Sequence, residues 1–540
     1  MNQSIENPCE KIPSLKSGFY NDLVSAYLSG DPNLSTLYQH SPSLGSFRPA
    51  IQAKSESYIN RELLCNTLRT QYSHIRKIPE NVRQNIDALE QPYTFSITTG
   101  HQLSLLTGPL YFVYKILSVV SLCRSLLQEY PEHQFVPVFW MATEDHDYDE
   151  IKSVYLKGRY VRFESEVGED GPCGRIPSAS VARDMEVLAD QFPEFNLNAY
   201  WKIFSTAYAE GPTLAHATRR IVTEIFGVYG VVCIDGDDLA LKKHFSAIVQ
   251  RDIPEANSVR LLAEGDRTMV QAGFSPQAMG RKVNFFYMDG HRRERFVFEN
   301  NMYGVHNTPM RFTADEMQQL ISNHPEKFSP NVITRPLYQE FLLPNIAYIG
   351  GPAEVHYWLQ LKRIFDFYDV PYPIVIPRDN FIVLSRRKWE KYKNLTGSEY
   401  IRRLFMASDK LIEAYTDDLM NDKKYFSEET EHLRQIFSVV IDKIGPLDTS
   451  LQKSADAAGK KALKSLERLE LIARRQVRRN HEETIRFFKD FNLSVFPEGV
   501  FQERIQNVLE FSGLFENRFL DNVLMNSDPL AMEIKVLLYD

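Results

Sequence analysis

The stretch that decides the fold is Phe135-Val136-Pro137-Val138-Phe139-Trp140-Met141-Ala142, followed at once by Thr143-Glu144-Asp145-His146-Asp147. An unbroken apolar run of this length, with no polar alternation, is the pattern of a strand buried on both faces. Such strands belong to parallel sheets covered by helices. The charged residues then fall at the carboxyl end of the strand, where open α/β sheets bind their ligands.

Working outward, the same unit recurs. Upstream, Tyr93–Thr99 is rich in β-formers and ends at Gly100. Gly108-Pro109 then opens a helix, with proline suited to its first turn. Tyr111, Tyr114, Ile116, Leu117, Val120 and Leu127 give that helix an apolar face. Downstream come a helix over Ala215–Phe226 and a strand over Val231–Ile234, ending at Asp235-Gly236-Asp237-Asp238. Another unit follows: Ile346–Ile349, Gly350-Gly351-Pro352, a helix to about Tyr368, and the strand Pro373–Ile376. Strands alternating with helices predict an α/β fold with a Rossmann-like, doubly wound parallel core. Insertions interrupt it near 155–205 and 255–330. The first opens with Tyr155–Glu166. The second contains a hairpin, Val283–Met288 and Arg295–Phe298 about the turn Asp289-Gly290. The first ~90 residues read as amphipathic helices and loops.

After Phe381 the chain becomes helical and charged. Leu433, Ile436, Phe437, Val440, Ile441 and Ile444 mark one helix face, ended by Gly445-Pro446. Ala455, Ala458, Ala462, Leu466, Leu469 and Ala473 then recur at spacings of three and four, the seam of an antiparallel helical hairpin or coiled coil. The expected organisation is a core over 1–385, a helical coiled-coil arm over 386–510, and a segment over 511–540 packing back on the core. A chain of 540 residues exceeds what one core usually serves.

The net charge of −8 argues against a broad nucleic-acid-binding face. No apolar run approaches the roughly 20 residues needed to span a bilayer. The amino-terminal stretch MNQSIENPCEKIPSLKSG lacks the basic-then-apolar order of a secretory signal, so a cytoplasmic protein is expected. Five scattered cysteines, with no C-x-x-C, offer neither a zinc site nor a disulfide framework. Cys233, inside Val231–Ile234, reads as a buried structural thiol.

Four stretches could carry chemistry. In Thr98-Thr99-Gly100-His101-Gln102, glycine would let backbone amides approach a phosphate and histidine could donate to its oxygens; the bland alternative is a tight turn. In Glu144-Asp145-His146-Asp147, a carboxylate could take a proton from an amine or hold Mg²⁺, and His146 could shuttle protons; the alternative is a solvated acidic loop. In Ser329–Pro336, Arg335 could clamp a carboxylate or phosphate, and Gly350-Gly351-Pro352-Ala353-Glu354 suits close backbone approach to a ligand; the alternative is a surface arginine in a salt bridge. His356 reads as a packing residue. The fourth is the basic run Arg474–Arg479 with Phe496-Pro497-Glu498-Gly499-Val500-Phe501-Gln502-Glu503-Arg504, either a solvated face and a turn or a second pocket.

In order, TTGHQ…TGPLY…YK, VPVFWMATEDHDYDEI, SPNVITRPLYQEFLLPNIAYIGGPAEV and FPEGVFQER resemble the bacillithiol-synthesis cysteine ligase family, over about Thr98 to Arg504. That resemblance implies a Rossmann-type core with insertions, a coiled-coil domain, and a homodimer joined through the arm. It implies the last step of bacillithiol synthesis, joining cysteine to glucosaminyl malate, with ATP and Mg²⁺ activating the cysteine carboxylate as an acyl adenylate or acyl phosphate. His101, Asp145 and His146 are then the catalytic candidates. Thr99, Gly100, Gln102, Lys115, Glu144, Asp147, Arg335, Gly350, Gly351 and Glu354 would bind substrate or nucleotide. Phe496, Gly499 and Arg504 would form a second nucleotide pocket. Gly100-His101-Gln102 is similar in position to the histidine motif of nucleotidyl-transferase-like ligases, whose lysine-rich second loop Leu384-Ser385-Arg386-Arg387-Lys388 matches poorly. The residues alone leave open another nucleotide-dependent amide ligase or nucleotidyl transferase, and a non-catalytic dimeric scaffold.

Overall fold

Five strands run parallel in the order Ile374–Pro377, Asn345–Gly350, Thr94–His101, Gln134–Met141 and Val232–Asp235. This is the arrangement in a computed structural model describing residues 9–164, 171–290, 292–420 and 425–540. The first eight residues of the amino-terminal stretch, and Ser165-Glu166 at the end of the first insertion's opening segment, lie outside the described residues. Every residue of Asn345–Gly350 is buried, as are all but the first of Gln134–Met141. Helices over both faces therefore demand the continuous apolar runs that mark these strands in the sequence.

The chain starts in the middle of this sheet. From Thr94–His101 it winds outward on one side through Gln134–Met141 and Val232–Asp235, then returns to Asn345–Gly350 on the other side. The winding reverses between Thr94–His101 and Asn345–Gly350, so their carboxyl ends diverge around a crevice, the switch point at which such sheets bind ligands.

The helix Tyr111–Glu129 packs on Gln134–Met141. Pro109 is not in its first turn, as the sequence suggested. The helix begins at Tyr111, and Pro109 bridges to Asn507 instead. The Asn507 amide donates to the carbonyls of Leu106 and Gly108 at 2.9 and 2.7 Å, holding the loop after His101 in place.

The first insertion holds the hairpin Ser153–Leu156/Arg159–Arg162 and the helices Ala179–Gln191 and Ala199–Glu210. The second is larger than its hairpin suggested. Helices Leu239–Glu255 and Asn257–Gln271 precede a five-stranded antiparallel sheet in which Phe285–Asp289 pairs with both Arg292–Glu299 and Phe328–Pro330. Gly290, at φ +56°, supplies the turn. The amino-terminal region carries the expected helices, and also a strand not anticipated, Cys9–Pro13, paired with Glu533–Tyr539.

Two compact units divide the chain, residues 1–383 with 502–539, and residues 384–501 with 540. The return to the first unit thus begins at Gln502 rather than near 511. Its anchor is the Gln502 side chain, which bonds the backbone of Val383 in both directions at 2.8 and 3.0 Å. The second unit pairs helices Ser427–Ile444 and Thr449–Asn480. Their contact buries Ala455 and Gly459, whereas Ala458 and Leu469, expected in the seam, face outward. Gly459 sets the phase, because a Cβ there would lie 2.9 Å from Cγ of Phe437. Among the described residues no helix is long and apolar enough to cross a membrane.

Candidate functional site

A cavity of about 1000 Å³ opens at the switch point, entirely within the first unit. Two groups of side chains face each other across it.

The first group sits on the strand ends that diverge. The Lys115 ammonium, carried by the helix Tyr111–Glu129, is buried against Glu354 at 2.5 Å and donates to the Gly100 carbonyl at 2.9 Å. Glu354 also accepts from the Tyr348 hydroxyl at 2.7 Å and from the Gly351 amide at 3.1 Å. Burial alone would raise the Glu354 carboxyl, but Lys115 and these donors outweigh it and hold the group ionised below the usual range. Arg335 lines the same end with no carboxylate partner among the described residues. It donates to Gln339 at 3.0 Å and lies 5.8 Å from the centre of the Tyr348 ring. Gln339 donates to Glu340, which accepts also from Asn345, and Asn345 accepts from Thr98. A buried polar chain therefore fixes Arg335 from behind. A Cβ on Gly100 would lie 3.6 Å from its Nη1, in ordinary contact, so the strand end runs directly beside the guanidinium.

His101 stands beside this group. Its Nδ1 lies 3.0 Å from the Gln102 carbonyl. A carbonyl only accepts, so Nδ1 carries the proton and Nε2 is left as an acceptor. Burial, then the Lys115 charge, lowers the ring from its ordinary 6.5 to about 4, so it is neutral. The sequence suggested a donor to phosphate oxygens; the geometry gives an acceptor.

The second group lies after Gln134–Met141. Asp145 accepts from the Gln102 amide at 2.7 Å and from the His146 backbone at 2.9 Å, and faces Arg293 at 3.5 Å. Arg293 comes from the antiparallel sheet and lies 4.0 Å from the centre of the Phe286 ring. It donates to Nδ1 of His146 at 2.8 Å and to Ser329 and the Pro330 carbonyl. Burial and then the Arg293 charge lower the His146 pKa. Glu144 also lines the cavity, but its carboxylate is taken by Lys242 at 2.7 Å, which pairs with Asp237 at 3.0 Å; Arg175 closes that cluster. Thr143 donates to Asp235, whose carboxyl burial pushes up to about 6.

The cavity gathers Gly100, His101, Gln102, Lys115, Glu144, Asp145, His146, Arg335, Gly351, Glu354 and Arg504. It does not gather Thr99, whose hydroxyl is spent on the Ile349 carbonyl at 2.8 Å, nor Gly350, nor Asp147, which is exposed. Phe496 and Gly499 belong to the second unit. Phe496 packs on Phe405 and Phe501, and Gly499 makes an exposed turn at φ +76°. Arg504 thus joins the main cavity rather than a pocket with them. His356 donates from Nε2 to the Ser275 carbonyl at 2.9 Å and does not line the cavity. The sequence reading missed Arg293, Arg295 and Arg378, all of which line the cavity. Arg293 and Arg295 share one face of their hairpin strand, being two residues apart, but nothing local places that face at the cavity.

No group of three or more His, Cys, Asp or Glu side chains is placed to hold a metal among the described residues. A Mg²⁺ carried on nucleotide phosphates needs only one or two carboxylates, and Asp145 and Glu150 line the cavity.

A Rossmann-like sheet with its cavity at the switch point, continued by a helical coiled-coil unit, defines the class. The chain belongs to the bacillithiol biosynthesis BshC family: residues 8–379 match its N-terminal Rossmann-like domain and 384–539 its C-terminal coiled-coil domain. A protein of Flavobacterium psychrophilum is 37% identical over 98% of this chain and 99% of its own length. One from Flavobacterium johnsoniae is 35% identical with the same coverage, and one from Bacillus cytotoxicus 25% identical over 94% of this chain and 96% of its own. All three carry the provisional name cysteine ligase BshC.

Proposed function

We propose that this protein is a cysteine ligase that joins the cysteine carboxyl to the amine of glucosaminyl malate, with ATP activating the carboxyl. The observation carrying this reading is the division of one cavity into an anion-receiving end at Arg335 and a proton-receiving end at Asp145. Amide formation from a free carboxylate needs both. The carboxylate oxygen must first become a leaving group, and the attacking ammonium must lose its protons.

In this reading cysteine and ATP give a cysteinyl adenylate and pyrophosphate, or a cysteinyl phosphate and ADP. The glucosamine nitrogen then attacks the acyl carbon, the C–N bond forms, and AMP or phosphate leaves. Asp145, an acceptor held by Gln102 and the His146 amide, takes the amine proton. His146 donates through Nε2, because Arg293 occupies Nδ1. Arg335, in no salt bridge among the described residues and held by Gln339, receives the malyl carboxylates. Nε2 of His101 accepts from an ammonium or hydroxyl of the substrates. Mg²⁺ would enter on the nucleotide and screen its phosphates.

The arm supports a homodimer. Ile436, Val439, Leu469 and Ile472 are each more than half exposed on its two helices, which is costly for a lone hairpin in water.

The test is mass-spectrometric detection of product from purified protein, cysteine, glucosaminyl malate and Mg·ATP. Product that requires ATP, and is lost in His101→Ala and Asp145→Asn, is expected. Wild-type turnover in both variants would overturn the assignment of roles; no product from folded protein would overturn the reaction.

A further inference from the structure

A second cavity, of about 780 Å³, lies elsewhere in the first unit, between the loop after Arg61–Tyr72 and the helices Ala199–Glu210 and Leu214–Phe226. Its walls carry Arg76, Lys77, Arg219, Arg220, His74 and His216. The carboxylates lining it are Glu210 and Glu224; both pair with Arg220, at 2.5 and 2.6 Å, and Glu210 also feels the more distant Arg76 charge. Arg76 and Lys77 form no ion pair among the described residues. Arg219 is only 4% exposed. Its nearest carboxylate, Asp235, is 3.7 Å away, and its Nε has no hydrogen-bond acceptor among the described residues. The His74 and His216 rings meet edge to face at 5.5 Å.

This imbalance is informative in a chain of net charge −8. A buried guanidinium without full compensation is expensive, and like charges gathered about one concave surface repel. A multiply charged oxyanion would relieve both. The volume exceeds what one phosphate fills, and Ile75, Pro79, Ile203 and Pro212 give part of the wall an apolar character suited to an organic body.

We propose that this cavity is an oxyanion site that takes a phosphate group, free or as a small phosphate ester, separately from the cavity at the switch point. Arg76 and Lys77 are the entry cations and Arg219 the buried one. Guanidinium groups are suited to such a ligand because they offer paired donors to its oxygens.

The experiment is calorimetric titration of the full chain with pyrophosphate, with inorganic phosphate and with ribose 5-phosphate. Four proteins are compared: the parent, Arg335→Gln to weaken the switch-point cavity, the triple variant Arg335→Gln/Arg76→Gln/Lys77→Gln, and Arg76→Gln/Lys77→Gln. The last pair is exposed and unpaired, so its unliganded Tm should equal that of the parent. Pyrophosphate should still bind Arg335→Gln, and bind that protein at least tenfold more weakly when the two entry cations are also removed. Tighter binding of ribose 5-phosphate than of inorganic phosphate would identify an ester site, and the reverse a free-phosphate site. Equal pyrophosphate affinity with and without Arg76 and Lys77, or no saturable binding to Arg335→Gln, would overturn the proposal. Neither outcome depends on the ligase reading.

Discussion

Arg293 donates to Nδ1 of His146 across 2.8 Å, joining the antiparallel sheet of the second insertion to the loop that follows Gln134–Met141. The contact settles which ring nitrogen carries the proton and keeps the ring neutral. Replacing Arg293 by Met should raise the His146 pKa and shift the acid limb of the pH–rate profile upward. Turnover should fall by about 100-fold or more if proton transfer is limiting. Histidine NMR titration of the variant against the parent checks the pKa independently of activity.

Lys115 and Glu354 should be inseparable. Lys115→Met leaves the half-buried Glu354 carboxylate without its cation, at a cost of about 1–3 kcal/mol. Adding Glu354→Gln removes the stranded charge and should return most of that loss. Urea denaturation of the two single variants and the double variant measures the coupling.

His101 should impose a pH dependence on stability. Its folded-state pKa, about 4, lies below the ordinary 6.5. Between those values the unfolded chain binds the additional proton, so this residue lowers stability as pH falls. Asp235 acts in the opposite sense, because its raised carboxyl pKa favours the folded state on protonation. The His101 part is isolated by difference. In His101→Gln the loss of stability between pH 6.5 and 4 should be smaller than in the parent, as read by denaturant midpoints across that range.

Gly265 should not tolerate alanine. In an exposed helix interior that change gains about 1 kcal/mol. Here a Cβ would lie 2.3 Å from the Gln360 carbonyl oxygen, a backbone atom that cannot swing aside. Gly265→Ala should therefore destabilise the protein by about 1–3 kcal/mol, visible as a lower Tm.

The exposed apolar residues of the arm should set the oligomeric state. Ile436→Glu with Ile472→Glu should convert a dimer to a monomer in light scattering at micromolar concentration, while the circular dichroism helix signal persists. A parent protein that is itself monomeric would remove the basis for this expectation.

The parallel core was legible because strands buried on both faces leave unbroken apolar runs, and because the chain marks their ends with Gly100, Glu144–Asp147 and Gly350-Gly351. Those ends border one crevice once the strand order is known, so much of the cavity could be named from sequence. Thr99, Gly350 and Asp147 could not be sorted from their neighbours, because which of two adjacent residues faces a crevice depends on twist and pairing. Arg293 was hidden for another reason. It arrives from a hairpin about 150 residues after His146, and no local pattern encodes that meeting. The arm shows a limit of periodicity. Spacings of three and four fit more than one phase, and the contact of Phe437 with Gly459 selected a seam in which Ala458 and Leu469 are outside.

Gln502–Tyr539 belongs to the same unit as the first 383 residues. Glu503 neutralises the buried Arg378 at 2.6 Å, and Lys535 pairs with Asp379 in the interior. During synthesis these partners emerge only after the whole helical arm. The nascent chain must therefore hold its sheet with two buried charges unmatched while the arm is made. Premature termination in the arm, or a proteolytic cut that releases the segment after it, would leave a product without a finished interior. Quality control in the cell could recognise such a chain by that defect alone.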